Sequence, residues 1–299
     1  MHHFEIVGVI GKRRDPQVIG TLLTLLDVLR ALGRRICVED ATLHGHELAA
    51  DIERLPRSEM SRCDLVIVVG GDGTLLSAAR DLAPAGVALL GINQGRLGFM
   101  VDVPPAEMRE ALEAIFKGDY VREQRLLLST RLIREKRPQT SFLAVNDVVI
   151  RNQAAIRMLE FETWLDGEFI SQHRADGFIV ASPTGSTAYA LSGGGPVVHP
   201  GLDALTLVPI CPHTLSDRPI VVSSRQTVRI TLRGAPNTVA MYTCDGQTAE
   251  TLHAGESFEV READFRMNLV HPKNYSYFNI LRNKLLWGRG PALNGRAPD

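Results

Sequence analysis

The sequence is poor in the features that mark several functional classes. It has four cysteines in 299 residues, Cys37, Cys63, Cys211 and Cys244, and no C-x-x-C pair. Scattered singly, they predict reduced, mostly buried thiols of a cytoplasmic protein rather than a disulfide framework. Its nine histidines form no H-E-x-x-H pattern, so a structural zinc site has no signature here. An excess of one charge is missing too. The 33 Lys and Arg against 34 Asp and Glu leave a formal net charge of -1, and nothing basic points to a nucleic acid. No apolar run nears the roughly 18 residues of a membrane span. The opening MHHFEIVGVIGKRRD has too short an apolar run for a signal peptide, with its basic residues after that run. Neither a membrane nor a nucleic acid is expected as a partner.

What is present reads as globular. A hydrophobic share of 44% and a charged share of 22% are ordinary. At about 100–200 residues per domain the length suggests two domains. In the first third, strands alternate with helices. FEIVGVIG (4–11), RRICVED, DLVIVVGG and GVALLGIN (86–93) are strands of the buried type. PQVIGTLLTLLDVLRALG (16–33) has helical apolar spacing, with Asp15 as N-cap and Gly33 as stop. GTLLSAARDLAP, closed by Pro84, and PAEMREALEAIFKGD (105–119) read as further helices. This alternation implies a parallel sheet covered on both faces.

Near Val121 the texture changes to many short strands. MLEFETWLDGEFISQ alternates and turns at Asp166-Gly167, a hairpin signal. QTVRITLRG puts Val228, Ile230 and Leu232 on one face and Arg229, Thr231 and Arg233 on the other. Residues 121–271 are read as a β-rich domain. The tail NYSYFNILRNKLLWG (274–288) is helical again, and RGPALNGRAPD reads as a frayed end.

Five stretches carry candidate chemistry. In DLVIVVGGDGTLL a strand runs into Gly70, Gly71 and Gly73, the geometry that aims backbone N–H groups at an anion. It is not a P-loop, because the lysine pattern is absent, and Leu76 stands where a dinucleotide fingerprint needs its third glycine. A tight turn alone would explain the glycines but not the carboxylate of Asp72 among them. GINQGRLGFM follows the next strand and lies at the same sheet edge. AVNDVVI sets Asn146 and Asp147 inside a β-forming run, where neighbours point to opposite faces. They are either a surface strand end or a pair that accepts from ribose hydroxyls. RADGFIVASPTGSTAYALSGGGPVVHP holds Ser182, Thr184, Ser186, Thr187 and Ser192. Capping by Ser186 or Thr187 explains one hydroxyl, and a ligand loop is the better reading of the group. TCDGQT reads as an Asp-Gly turn. The His213 and Ser216 pair in PHTLSD is explained by turn chemistry rather than a triad, and no G-x-S-x-G elbow occurs.

Taken together, these stretches resemble one family. GGDGT (70–74) is shared by NAD kinases, by diacylglycerol and sphingosine kinases and, more loosely, by phosphofructokinases. NQGRLGF (93–99), Asn146-Asp147, DGFIVASPTGSTAYALSGGGPVVHP (176–200), CDGQ (244–247) and LRNKLLWG (281–288) look specifically like bacterial NAD kinase, in that order and over nearly the whole chain. Many relatives carry Glu where this chain has Asp147, which keeps the carboxylate.

The resemblance implies a kinase of the 2′-hydroxyl of the adenosine ribose of NAD. It uses ATP and a divalent cation, Mg²⁺ by expectation, and makes NADP. A lipid kinase of the same superfamily and a non-catalytic NAD-binding sensor are the alternatives. The implied fold is an α/β domain with a Rossmann-like parallel sheet (1–120), a sandwich-like NAD-binding domain (121–271), and a C-terminal helix and tail that return to the first domain (272–299). The site lies in the crevice between the domains, and the family assembles as homodimers or homotetramers. Carried over residue by residue, Asp72 is the catalytic aspartate, in a phosphate loop of Gly70, Gly71, Gly73 and Thr74. The metal is held by Asp72 or through the ATP phosphates. NAD contacts fall on Asp72, Gly73, Asn146, Asp147 and Asp176. They also fall on the helix-start residues Thr187, Ala188, Tyr189, Ala190, Leu191 and Ser192, with Arg157, Arg174 and Gln247 as further contacts.

Overall fold

The structure is a computed structural model that describes residues 4–12, 15–95, 98–134, 139–152, 158–214 and 216–286. It divides into two compact units. One holds the described residues up to Glu123 and from Asn268 onward, and the other is Gln124–Met267.

The first unit runs β1 (Ile6–Gly11), α1 (Pro16–Ala31), β2 (Arg35–Glu39), β3 (Ile52–Leu55), β4 (Leu65–Gly70), α2 (Asp72–Leu82), β5 (Ala88–Asn93) and α3 (Met108–Phe116). Its strands pair in parallel in the order β5-β4-β1-β2-β3. Every residue of β4 and β5 is buried, as a sheet covered on both faces requires. Helix α1 begins where expected. The Asp15 carboxylate accepts from the Gln17 N–H at 3.2 Å, Pro16 fills the first turn, and Gly33 adopts φ 68° beyond the end. Its buried stripe of Val18, Leu22, Leu25 and Leu29 packs on Val7, Val9, Ile67 and Leu90. Strand β3 escapes the sequence reading. Its IERL exposes both central residues and has no continuous apolar run.

The second unit contributes β6 (Tyr120–Ile133, which begins in the first unit), β7 (Thr140–Ala144), β8 (Asp147–Asn152), β9 (Leu159–Leu165), β10 (Glu168–Ala175), β11 (Gly177–Ala181), a short helix α4 (Tyr189–Ser192), β12 (Ala204–Ile210), β13 (Ile220–Ser223), β14 (Val228–Arg233), β15 (Val239–Cys244), β16 (Thr248–His253) and β17 (Ser257–Pro272). An antiparallel sheet, β13-β12-β11-β8-β15-β16, lies over a second one built from β10, β9, β14, β17, β6 and β7. One core joins them: Phe178, Val180 and Tyr242 from the first sheet meet Phe161, Ile230 and Phe258 from the second. Asp166 and Gly167, at φ 50° and 85°, make the two-residue hairpin between β9 and β10. Val228, Ile230 and Leu232 face the core as read. Thr231 is buried too, because its hydroxyl pairs with that of Ser257 at 3.0 Å.

Strand β17 passes from the second unit back to the first, where Asn268 and Leu269 pair in parallel with Ala88 and Leu89 of β5. The final helix α5 (Tyr277–Leu285) belongs to the first unit. It is capped by Ser276, whose hydroxyl accepts from the Asn279 N–H. An α/β unit with a parallel sheet, an antiparallel sandwich and a returning terminal helix is the expected fold class.

Candidate functional site

In the first unit the chemistry gathers at the carboxyl ends of β4 and β5, the edge where open parallel sheets bind ligands. Strand β4 ends at Gly70, Gly71 is extended, and Asp72 opens α2. The carboxylate does not hang free. Its Oδ2 accepts from the Phe99 N–H at 2.9 Å, and its Oδ1 accepts from Met100 and Val101 at 3.1 and 3.2 Å. Asp72 thus ties the loop after β4 to the loop after β5. Gly98 permits the approach, since a Cβ there would overlap Asp72 Oδ1. Gly70 has a similar reason, because its Cβ would lie 2.6 Å from Thr74 Oγ1. Gly71 has none of this kind: nothing lies within 4 Å of a Cβ placed on it, and its φ of -109° suits any residue. Gly73 is exposed in the first turn of α2. Gln94 is a strut, accepting from the Thr21 hydroxyl and donating to the Gln17 carbonyl.

In the second unit a cleft of about 570 Å³ is lined by Asn146, Asp147, Val149, Arg151, Ala188, Tyr189, Met241, Thr243, Asp245, Gly246 and Ala249. The expectation that Asn146 and Asp147 sit within one strand and face opposite ways does not hold. Strand β7 ends at Ala144, β8 begins at Asp147, and Asn146 lies in the break, so strand alternation does not apply and both line one cleft. Three long-range anchors make the break. The Asp245 carboxylate accepts from the N–H groups of Val145, Asn146 and Asp147, at 2.7 Å for Asn146. The Asn146 carbonyl accepts from the Ser182 N–H at 2.9 Å. Gly185 packs directly on the Asn146 backbone, where a Cβ would overlap it.

Asp147 is 4% exposed, and its carboxyl makes no hydrogen bond to another described side chain or N–H group. Burial, and then the Asp245 charge beside it, push its pKa up to about 7.

The hydroxyl-rich stretch is mostly internal. Ser182 Oγ donates to the Val145 carbonyl and accepts from the Gly185 N–H. Ser186, fully buried, donates to the Pro183 carbonyl and accepts from the Val198 N–H, and Thr187 donates to the Thr184 carbonyl. Neither Ser186 nor Thr187 caps α4, which starts after a backbone break at Ala188. Of the expected helix-start residues, Ala188 and Tyr189 line the cleft. Ala190 is buried, Leu191 half-buried and Ser192 exposed, away from it. Arg174, Asp176 and Gln247 are exposed and do not line this cleft, and Arg174 pairs with Glu160 at 3.2 Å. Arg157 lies outside the described residues.

Asp245, Arg151, Met241 and Thr243 are cleft residues that sequence reasoning missed. Asp245 carried a signal in its Asp-Gly pair, and the turn is there, at φ 51° and 62°. What the turn holds depends on β15 pairing with β8, almost a hundred residues away.

Among the described residues no three His, Cys, Asp or Glu side chains form a metal cage. Cys37, Cys63 and Cys244 are buried, Cys211 is exposed, and none of the four is in a disulfide.

Residues 7–120 match the family model described as ATP-NAD kinase N-terminal domain, and residues 145–272 match the ATP-NAD kinase C-terminal domain. A relative named NAD kinase from Hahella chejuensis is 42% identical over 299 residues, spanning 99% of this chain and 100% of its own length. Another from Halorhodospira halophila is 44% identical, spanning 97% of this chain and 95% of its own. The crystal structure of an NAD kinase from Archaeoglobus fulgidus in complex with ATP aligns with a TM-score of 0.70 at 26% identity, covering 94% of this chain and 97% of that one. Yeast NADH kinase complexed with NADH aligns with a TM-score of 0.88 at 22% identity, covering 98% and 91%, a likeness of fold. The chain belongs to the NAD kinase family.

Proposed function

We propose that this chain transfers the γ-phosphoryl group of ATP to the 2′-hydroxyl of the adenosine ribose of NAD, giving NADP and ADP. The observation that carries the reading is Asp147. A buried carboxyl that no neighbouring side chain satisfies, beside the Asn146 amide in a nucleotide-sized cleft, is costly unless a ligand uses it. Ribose hydroxyls are donors that suit it. Tyr189 and Ala188 supply an aromatic and a small surface for the rest of the nucleotide. Gly73, Thr187, Ala190, Leu191, Ser192, Arg157, Arg174, Asp176 and Gln247 are proposed as NAD contacts on family resemblance alone.

Asp72 is the proposed base. The 2′-oxygen attacks the γ-phosphorus in line, the bond to the bridging oxygen of ADP breaks, and the hydroxyl proton passes to Asp72. The three N–H bonds hold the carboxylate at one place and orientation, which removes a positioning cost from each turnover. The loop of Gly70, Gly71, Gly73 and Thr74 is the proposed phosphate cradle, and the open side of Gly71 leaves room for a phosphate. With no cage of three His, Cys, Asp or Glu side chains among the described residues, Mg²⁺ would be held chiefly through the ATP phosphates, as Mg²⁺ commonly is, with Asp72 as the nearest protein carboxylate. Bound there, it supplies neutralisation of phosphate charge.

The edge strand β13 exposes Ile220 and Val221, which supports a homodimer or homotetramer. No helix among the described residues is long and apolar enough to cross a membrane; a cytoplasmic location is proposed with it.

The test is a coupled assay for NADP with NAD, ATP and Mg²⁺. One NADP per ADP is expected, and Asp72→Asn should lower kcat by about 10²–10⁴-fold with a native circular-dichroism spectrum. NAD binding without ATP-dependent NADP would overturn the reading.

A further inference from the structure

The residue after the Asp72 clamp is Asp102, and it is anchored from the opposite side. Its Oδ2 accepts from His271 Nδ1 at 3.1 Å, while Oδ1 is buried without a partner. His271, the next-to-last residue of β17, is fully buried. Glu123 Oε2 lies 3.3 Å from its Nε2, close enough for an ion pair but off the line of a directed hydrogen bond. Tyr275 stacks on the ring at 3.8 Å, with 13° between planes, and its hydroxyl donates to the same Glu123 oxygen at 3.3 Å. The groups that face the ring are therefore two carboxylates and a phenol.

The segment between the two anchors is short and tightly strapped. Val103 accepts from the Asn93 N–H at 2.8 Å, and Gly91 approaches Val101 so closely that a Cβ would lie 2.8 Å from its Cα. Residues 99–101 thus have Asp72 on their N–H groups, β5 along their flank and His271 at their exit. Removing the His271 contact takes the side-chain anchor from one end of a strap whose other end is held by the reacting carboxylate.

We propose that His271 is a positioning residue for Asp72: through Asp102 it fixes the backbone of Phe99, Met100 and Val101, whose N–H groups hold the Asp72 carboxylate. The inference rests on the reading of Asp72 as the group that meets the substrate. His271 itself touches neither nucleotide nor reacting atom. Burial lowers the affinity of the ring for a proton, but the hydrogen bond to Asp102 and the contacts with Glu123 outweigh it, and the pKa is raised. A charged ring donates its Nδ1–H to Asp102 and sets its positive charge beside Glu123. A neutral ring has one N–H for two carboxylates. Its contribution is therefore complete below the ordinary histidine pKa of about 6.5 and is lost as pH rises through the raised folded value.

The experiment compares wild type, His271→Ala and His271→Asn by amide hydrogen exchange and by kinetics across pH. An asparagine amide places a donor near Nδ1 and does not titrate. In His271→Ala the Phe99, Met100 and Val101 amides should exchange at least about tenfold faster, with β1 and β4 unchanged. The kcat should fall about tenfold with the KM for NAD within about twofold. In His271→Asn protection and kcat should return, and the alkaline loss of kcat expected in wild type should be absent. If His271→Ala does not fold, Asp102→Asn, which removes the charge but keeps an acceptor, must show the loss of the alkaline limb instead. Native exchange at these three amides in His271→Ala overturns the inference, as does loss of protection across the whole unit, or an asparagine variant no better than alanine. The exchange arm does not depend on turnover. A wild type that makes no NADP would defeat the kinase reading and leave this one to be decided by the amides.

Discussion

Asp72 and Asp245 each gather three consecutive backbone N–H groups, those of Phe99 to Val101 in the first unit and of Val145 to Asp147 in the second. The surroundings differ. Asp72 opens a helix, with open space beside Gly71 and an irregular loop as the clamped segment. Asp245 sits in a left-handed hairpin turn, and the segment it clamps starts strand β8. Beside Asp245 stands a second acid, Asp147, whose ionisation it opposes. The contrast separates two uses of one device. A carboxylate that collects N–H groups beside open space orders a loop and keeps its own charge in a fixed place. A carboxylate that does so beside a buried acid breaks a strand and adds to the burial that raises that acid's pKa.

The contrast is broken most directly at Asp245. Asp245→Ala leaves three N–H groups of a part-buried segment without an acceptor and puts at φ 51° a residue that lacks the polar side chain by which Asp and Asn tolerate left-handed backbone. A loss of about 2–4 kcal/mol of unfolding free energy is expected. Asp245→Asn, which keeps an acceptor and tolerates left-handed backbone, should lose roughly half as much. Urea unfolding of both variants checks this, and an alanine variant as stable as wild type would show that the clamp is decorative.

Asp147→Asn sharpens the same comparison with the opposite sign. The folded chain holds the Asp147 proton up to pH of about 7, whereas the unfolded chain releases it near 3.9. Between those values the folded state binds more protons, so stability from this group falls as pH rises and levels off above about 7. Asparagine removes that loss. The variant should be more stable than wild type by about 1–3 kcal/mol at pH 8, the gap closing towards pH 4, while the KM for NAD rises about tenfold. Thermal melts at pH 4.5 and 8 measure the gap. A variant less stable than wild type at pH 8 would mean that a protein group already satisfies the carboxylate.

Much of this was legible from residue order. The alternation of buried strands and amphipathic helices, the Asp15 cap and the Asp166-Gly167 hairpin are local effects, and the structure repeats them. Asn146 and Asp147 were picked out because polar side chains in an apolar run need a reason. Their shared cleft was not legible, because the break at Asn146 is imposed by Asp245 and Ser182, neither near it in sequence. The internal role of several hydroxyls in the serine-rich stretch was hidden for a related reason. Buried hydroxyls that satisfy carbonyls of a tight turn, as Ser182 and Ser186 do, look in sequence like hydroxyls that await a ligand. The clamp on Asp72 was hidden too: a central carboxylate was recognised, but its partners are main-chain groups of another loop and have no residue type.

Glycines offer the smallest and most selective test. Gly98→Ala places a Cβ against Asp72 Oδ1, an atom pinned by two N–H groups and unable to swing aside. Overpacking of this kind should cost about 1–3 kcal/mol and lower kcat with it. Gly71→Ala meets nothing within 4 Å and needs no unusual backbone, so stability should stay within about 0.5 kcal/mol of wild type. If the open side of Gly71 is where a donor phosphate rests, that variant should raise the KM for ATP several-fold and leave the KM for NAD unchanged. Steady-state kinetics with each substrate varied in turn separates the two. A Gly71→Ala enzyme with wild-type constants for ATP would move the phosphate away from this face of the loop, and a destabilised one would mean that the fold itself, rather than a ligand, requires the glycine.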